Sequence, residues 1–229
     1  MKFAIIGLGY FGSALAKELS ESGHEVLAID TDEVHIREIR DTVAIAAQAD
    51  ATDAEALAQL GVGEMDTVVV AIGEGFEASL MITAHCQKLG VRRVYTRVIN
   101  EVHNHLLGLM KVTGKIRAES LAAAYFTRQI TNEAVRRYFG IDSNHGIVEL
   151  EMPDRYDGQT LPEANLRKRY GVNVVTVRRP TVEIGHSPET PPAYQVEGTL
   201  DPEFKLKKGD RLIVFGTLKD IDRLCQSGD

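Results

Sequence analysis

Short apolar runs alternate with amphipathic stretches over the first 98 residues of the chain. Lys2–Ile6, Glu25–Asp30, Thr42–Ala47, Thr67–Ile72 and Arg93–Val98 are brief and rich in Val and Ile, the pattern of strands buried on both faces. Between them, Ser13–Ser22, Glu33–Ile39, Ala54–Leu60 and Ala78–Leu89 carry apolar residues at three-to-four spacing, which predicts helices. Asp32 and Asp53 stand where N-caps belong, and Gly23, Gly61 and Gly90 where helices stop. Strands alternating with helices make βαβ units and a parallel sheet.

After Val98 the rhythm changes. Asn100–Met110 and Ser120–Phe139 read as helices, with a short strand-like Lys115–Ala118 between them. The second helix would place Leu121, Tyr125, Ile130, Ala134 and Tyr138 on one face, wider than a single lobe needs. Gly140 would end it, and Asp142–Gly146 reads as a linker into a second lobe. There Ile147–Met152, Val172–Val177 and Arg211–Phe215 predict strands, and Pro162–Arg169 and Leu218–Gln226 predict short helices. Five of the seven prolines fall between Pro180 and Pro202, which predicts a long irregular insertion.

Composition narrows the class. The 229 residues are 44% apolar and 26% charged, an ordinary globular balance. The longest unbroken apolar run, Leu121–Phe126, is far short of the ~20 residues a membrane helix needs, and Lys2–Gly7 does not read as a signal peptide. A net charge of −7 argues against nucleic acid as a partner. The two cysteines, Cys86 and Cys225, form no CxxC and suggest neither a disulfide framework nor zinc. A soluble cytoplasmic protein is expected.

The clearest chemistry lies at Gly7-Leu8-Gly9-Tyr10-Phe11-Gly12, between the first strand and first helix. Gly7 permits a tight turn, Gly9 lets backbone approach a pyrophosphate, and Gly12 lets helix and strand pack closely, while the helix N-terminus favours phosphate. Asp30, ending the second strand, is placed to accept from a ribose hydroxyl. Asp32 adds negative charge that would repel a 2′-phosphate, so NAD(H) or an adenine nucleotide is expected over NADP. Asp50-Ala51-Thr52-Asp53 follows the third strand, where an adenine ring packs or where Asp53 simply caps the next helix. Ala71-Ile72-Gly73, ending the fourth strand, reads as the lower wall of the same site.

Gly7–Ser13, Glu25–Asp32, Asp50–Leu57, Val68–Gly73 and Thr96–Asn100 resemble the RCK (KTN) domain of TrkA and KtrA proteins. Ile147–Leu150, Arg169-Tyr170-Gly171 and Lys208-Gly209-Asp210-Arg211-Leu212 resemble the family's small C-terminal lobe. The resemblance is to the single-unit KtrA type. It implies a Rossmann-like nucleotide-binding N-lobe at 1–118, a crossover and dimerisation helix with a hinge at 119–140, and a small α+β C-lobe at 141–229. It further implies a cytosolic, non-enzymatic subunit of a potassium channel or transporter. Such subunits form dimers and octameric rings under a TrkH- or KtrB-like membrane partner and gate it by bound nucleotide.

By the same resemblance the nucleotide (NAD(H), ADP or ATP) is held by Gly7, Gly9, Tyr10, Phe11 and Gly12, by Asp30, Thr31 and Asp32, and by Asp50, Ala51 and Thr52. Ala71, Ile72, Gly73, Arg97 and His103 complete the site. Glu119 falls where KtrA-type proteins place an acid facing a divalent cation beside a neighbour's nucleotide; it would equally suit the N-terminus of the long helix. His105 is expected at the surface. Tyr10 departs from the pattern: ATP-responsive KtrA proteins commonly carry an arginine there, and an uncharged side chain cannot make that charge-assisted bond. Two other classes remain, a small NAD-dependent oxidoreductase and a free-standing nucleotide sensor. The first would need a proton donor, and no Tyr-x-x-x-Lys occurs. The second, as a transcriptional sensor, would need a DNA-binding element that the acidic chain does not offer.

Overall fold

The structure, a computed structural model, describes residues 1–181 and 193–226. The chain divides into two units, Met1–Ser120 and Leu121–Asp229.

The first unit is built from β1 (Lys2–Ile6), α1 (Tyr10–Glu21), β2 (Glu25–Asp30), α2 (Glu33–Ile39), β3 (Ile45–Gln48), α3 (Ala54–Gln59), β4 (Thr67–Val70), α4 (Phe76–Lys88), β5 (Val94–Arg97), α5 (Glu101–Leu109) and β6 (Gly114–Ile116). Its sheet is wholly parallel in the order β3-β2-β1-β4-β5-β6. Two apolar clusters cover it, one centred on Ile6, Leu57, Val68 and Ile82, the other on Ile5, Leu8, Val26 and Ile39. Burial on both faces explains why β1, β2 and β4 read as unbroken apolar runs. Asp32 and Asp53 cap α2 and α3 through their carboxylates, as expected. Strand order reverses at β1, whose Ile6 pairs with Ile29 on β2 and Val70 on β4, so the three carboxyl ends stand level. A crevice there is the general ligand position of such folds.

The helix α6 (Ala118–Thr131) leads out of the first unit, and none of its residues is buried. It corrects the expectation of a helix running to Phe139. The chain turns at Asn132, whose carbonyl accepts from Val135 N–H at 3.0 Å and whose side chain accepts from Ala134 N–H at 3.2 Å. It continues as β7 (Val135–Gly140), paired antiparallel with β8 (His145–Glu151). Arg136 supports the pair from its flank by gripping Glu151 at 2.6 and 3.0 Å. Two further expectations fall with the long helix. Gly140 is no hinge, because it pairs with Gly146 in this hairpin. Asp142–Gly146 is no linker but the hairpin loop and the first two residues of β8, where the Asp142 carboxylate accepts from Asn144 and His145 N–H, each at 2.7 Å.

The second unit continues with α7 (Leu161–Ala164), α8 (Leu166–Tyr170), β9 (Asn173–Thr181), β10 (Ala193–Val196), β11 (Arg211–Thr217) and α9 (Leu218–Gln226). Its antiparallel sheet, in the order β10-β9-β11-β8-β7, buries Val148, Leu150, Val177, Leu212 and Val214 against Tyr156, Leu166, Ile221 and Leu224. Of the insertion expected between Pro180 and Pro202, residues 182–192 lie outside the described residues, while Ala193–Val196 forms β10 rather than irregular chain. The Lys208-Gly209-Asp210 signal has a structural cause. Gly209 takes φ +88°, and buried Asp210 accepts from Lys207 N–H at 2.8 Å and from Arg179 Nε and Nη2 at 2.8 and 2.7 Å. Among the described residues no helix is long and apolar enough to cross a membrane.

Candidate nucleotide site

A cleft of about 810 Å³ opens over the carboxyl ends of β1, β2 and β4. It gathers nearly all the expected residues: Gly7, Gly9, Tyr10 and Phe11 from the first turn, Asp30, Thr31 and Asp32 from the second, and Asp50, Ala51 and Thr52 from the third. Ala71, Ile72, Gly73 and Arg97 close the far side.

The three glycines differ in kind. Gly7 has φ +93°, and a Cβ there would lie 3.0 Å from the Ile72 side chain. A Cβ on Gly12 would lie 1.8 Å from the Gly7 carbonyl oxygen, so Gly12 brings α1 against the turn without lining the cleft. A Cβ on Gly9 would meet nothing within 4 Å. Gly9 is also the N-cap of α1 and supplies no side-chain cap, which leaves the helix's first amides for another acceptor.

Asp30 joins the first two turns. One carboxylate oxygen accepts from Leu8 N–H at 2.5 Å and the other from Asp32 N–H at 2.8 Å. With the Asp30 side chain 13% exposed, these charged bonds replace most of the water it loses. Asp32 instead turns toward Val34 N–H, capping α2. In the third turn the Asp50 carboxylate accepts from the Thr52 hydroxyl at 2.7 Å and its N–H at 2.9 Å, which hold its pKa below the usual carboxylate range.

Arg97 ends β5 and enters the cleft beside Gly73, where an added Cβ would approach its guanidinium to 2.8 Å. The guanidinium lies 5.6 Å from the centre of the Phe11 ring and donates to Glu119 in the first turn of α6. That bond lowers the Glu119 pKa. Glu119 therefore faces this unit's own arginine. Among the described residues no group of three or more His, Cys, Asp or Glu side chains could hold a metal.

His103 is displaced from its expected role. It lies in the core rather than in the cleft; its Nδ1 accepts from Ile99 N–H at 3.1 Å, and its ring meets Phe76 edge-on at 5.4 Å. Burial pushes its pKa down, favouring the neutral ring. His35 is the titratable cleft residue that escaped the sequence reading, along with apolar lining from Ile6, Ile29, Ala49 and Ile82. His35 Nδ1 stands 3.4 Å from Asp30 Oδ2. Its place in the first turn of α2, directly after the acid-bearing turn, was the available signal.

The TrkA-N domain model matches residues 3–117, which takes in this whole cleft except Glu119's helix. The chain belongs to the TrkA-N (RCK) family. Over nearly its full length this TrkA-N chain is similar to the Ktr system potassium uptake protein C of Bacillus subtilis, at 33% identity covering 97% of this chain and 95% of that protein. The Ktr system potassium uptake protein A of the same organism is 29% identical, covering 99% and 96%. Among solved structures the GsuK channel bound to NAD superposes with a TM-score of 0.60 at 18% identity, covering 97% of this chain and 38% of that one. That likeness is one of fold: a parallel Rossmann-like sheet followed by an antiparallel one.

The glycines make an expectation. Gly12→Ala should destabilise the first unit by more than the ~1–3 kcal/mol of ordinary overpacking, because the obstacle is backbone. Gly9→Ala should keep stability within about 1 kcal/mol yet weaken nucleotide binding, since its methyl would point at the phosphate path. Chemical denaturation and calorimetric titration of the two variants check this.

Proposed function

We infer that the chain is a nucleotide-sensing regulatory subunit that gates a potassium-transporting membrane protein of the Trk or Ktr type. The observation that carries this reading is the cleft itself: a Gly-rich turn with uncapped helix amides, an acid at the ribose position and an arginine at the far side, in a chain whose full-length relatives are Ktr potassium uptake proteins. The ligand is NAD(H) or an adenine nucleotide. Gly7 and Gly9 admit its phosphates, Asp30 accepts from its ribose, and Asp50–Thr52 flank its base. Asp30 and Asp32 together disfavour a 2′-phosphate. The subunit acts without turnover, at the cytoplasmic face of the membrane, through its partner.

A nucleotide gates only as far as it binds one conformation of the assembly better than another. The assembly follows from α6, which leaves Leu121, Phe126 and Ile130 exposed. A second copy covers these residues, and dimers build the ring. Light scattering of the purified chain should give a dimer or a multiple of it; a well-folded monomer at micromolar concentration would remove this part of the reading.

The ribose contact is tested by titrating NADH, ADP and ATP into wild type and Asp30→Ala. Loss of a charged acceptor should weaken whichever ligand binds by about 10- to 150-fold. Unchanged affinity for all three would place the nucleotide elsewhere.

Tyr10 sets the phosphate preference. It lines the cleft fully exposed and carries no charge, so the third phosphate gains little there. The ATP-to-ADP affinity ratio should lie within about threefold. Tyr10→Arg should raise ATP affinity by about three- to tenfold and leave ADP nearly unchanged, the gain being limited by solvent screening at so exposed a position.

A further inference from the structure

His35 lines the cleft from the first turn of α2, beside the acid that ends β2. Its Nδ1 lies 3.4 Å from Asp30 Oδ2, shut off from water and without a hydrogen bond, while 38% of the side chain stays exposed. That same Asp30 oxygen accepts from Leu8 N–H. Among the described residues Asp30 is the charged group within ion-pairing distance of the ring. Glu33, two positions earlier, pairs with Arg37 instead. The other ionisable side chains lining the cleft are Tyr10, Asp32, Asp50, Glu74 and Arg97. Carboxylic acids, phenols and guanidines ordinarily hold one charge state between about pH 6 and 8, whereas imidazole is the group that changes there. The charge at the ribose corner of the cleft is therefore set by one proton.

We propose that His35 determines, through its proton, how strictly the cleft discriminates between a ribose 2′-hydroxyl and a ribose 2′-phosphate. The proposal rests on the reading of the cleft as a nucleotide site and deepens it. In a neutral imidazole one nitrogen bears no hydrogen; in the imidazolium both donate. With the ring neutral, Asp30 keeps acceptor capacity for a 2′-hydroxyl, and the carboxylates of Asp30 and Asp32 repel a 2′-phosphate. With the ring charged, Nδ1–H competes with the hydroxyl for Asp30 Oδ2, which weakens NAD. The same charge offsets the carboxylate that a 2′-phosphate would face, which strengthens NADP. Both changes move the ratio of the two affinities in one direction, so its sign does not depend on which is larger. His35 is thus a specificity-determining residue that acts chiefly through Asp30.

Calorimetric titration of the full chain at about pH 8 and about pH 6 tests this with two ligand pairs that differ only at the 2′ position. One pair is NAD and NADP, the other AMP and adenosine 2′,5′-bisphosphate. A phosphate monoester itself gains a proton over this range, a contribution common to wild type and variants that cancels in their comparison. His35→Gln keeps a polar side chain without a titrating group. From the higher to the lower pH, the NADP-to-NAD affinity ratio of wild type should rise about two- to fivefold more than that of His35→Gln, the strength of a partly exposed ion pair. His35→Arg carries a permanent charge, and at about pH 8 its ratio should already lie about two- to fivefold above that of His35→Gln. The second ligand pair should follow the first. A wild-type ratio that moves no more than that of His35→Gln, or falls relative to it, would overturn the assignment. So would equal ratios in His35→Arg and His35→Gln. If wild type binds none of the four ligands at either pH, the reading of the cleft fails first and this assignment with it. If wild type binds them and its ratio tracks that of His35→Gln, the role of His35 alone fails.

Discussion

The geometry of the cleft hangs on one carboxylate. Asp30 sits at the end of β2 with its charge largely removed from water, and a charge so placed is tolerable only when bonded. It finds its donors in the backbone of two different turns, Leu8 N–H on one side and Asp32 N–H on the other. The loop that would cradle phosphate and the loop that would face the ribose are therefore fixed relative to each other by a single side chain. A ligand hydroxyl would be a further partner for an acceptor that is already held, so recognition there would draw on an oxygen oriented before the ligand arrives. Such preorganisation saves the cost of ordering the group on binding.

Charge in the cleft is divided among its turns. Acids from the second and third turns, Asp30, Asp32 and Asp50, occupy one side, and Arg97 the other. The acids are engaged locally, Asp32 as a helix cap and Asp50 in a turn with Thr52, so each serves the fold with or without a nucleotide. Arg97 differs because its partner comes from a residue 22 positions further along, in a helix that contributes no buried side chain. The cation is thus the member of the site most open to exchange of partners.

Much of this was legible in the sequence, for a physical reason. A strand covered on both faces is apolar nearly throughout, and helices between such strands show their period clearly, so β1, β2 and β4 and the helices around them could be read directly. The cleft followed, since its residues come from the turns at the strand ends. Residues 132–140 could not be read this way. Leu121, Tyr125, Ala134 and Tyr138 fit a helical face, while Val135, Arg137 and Phe139 also fit a strand, and the choice is made by pairing with β8 outside that window. His103 misled for a related reason: a histidine beside a site signals chemistry in sequence, but only burial shows that it closes the Ile99 turn from within. The ion pair of Arg97 with Glu119 was equally hidden, because residues that far apart in the chain carry no mutual signal.

The glycine fingerprint has a consequence for how such sites decay. Gly12 is held to its identity by a neighbouring carbonyl and Gly7 by a left-handed backbone, and both demands persist in a protein that binds nothing. Gly9 answers to no neighbour within 4 Å, so what keeps a side chain away from that position must come from outside the polypeptide. In descendants that abandon the ligand, the first and last glycines should persist while the middle one drifts. The middle position, rather than the whole motif, then records whether a lineage still uses its cleft.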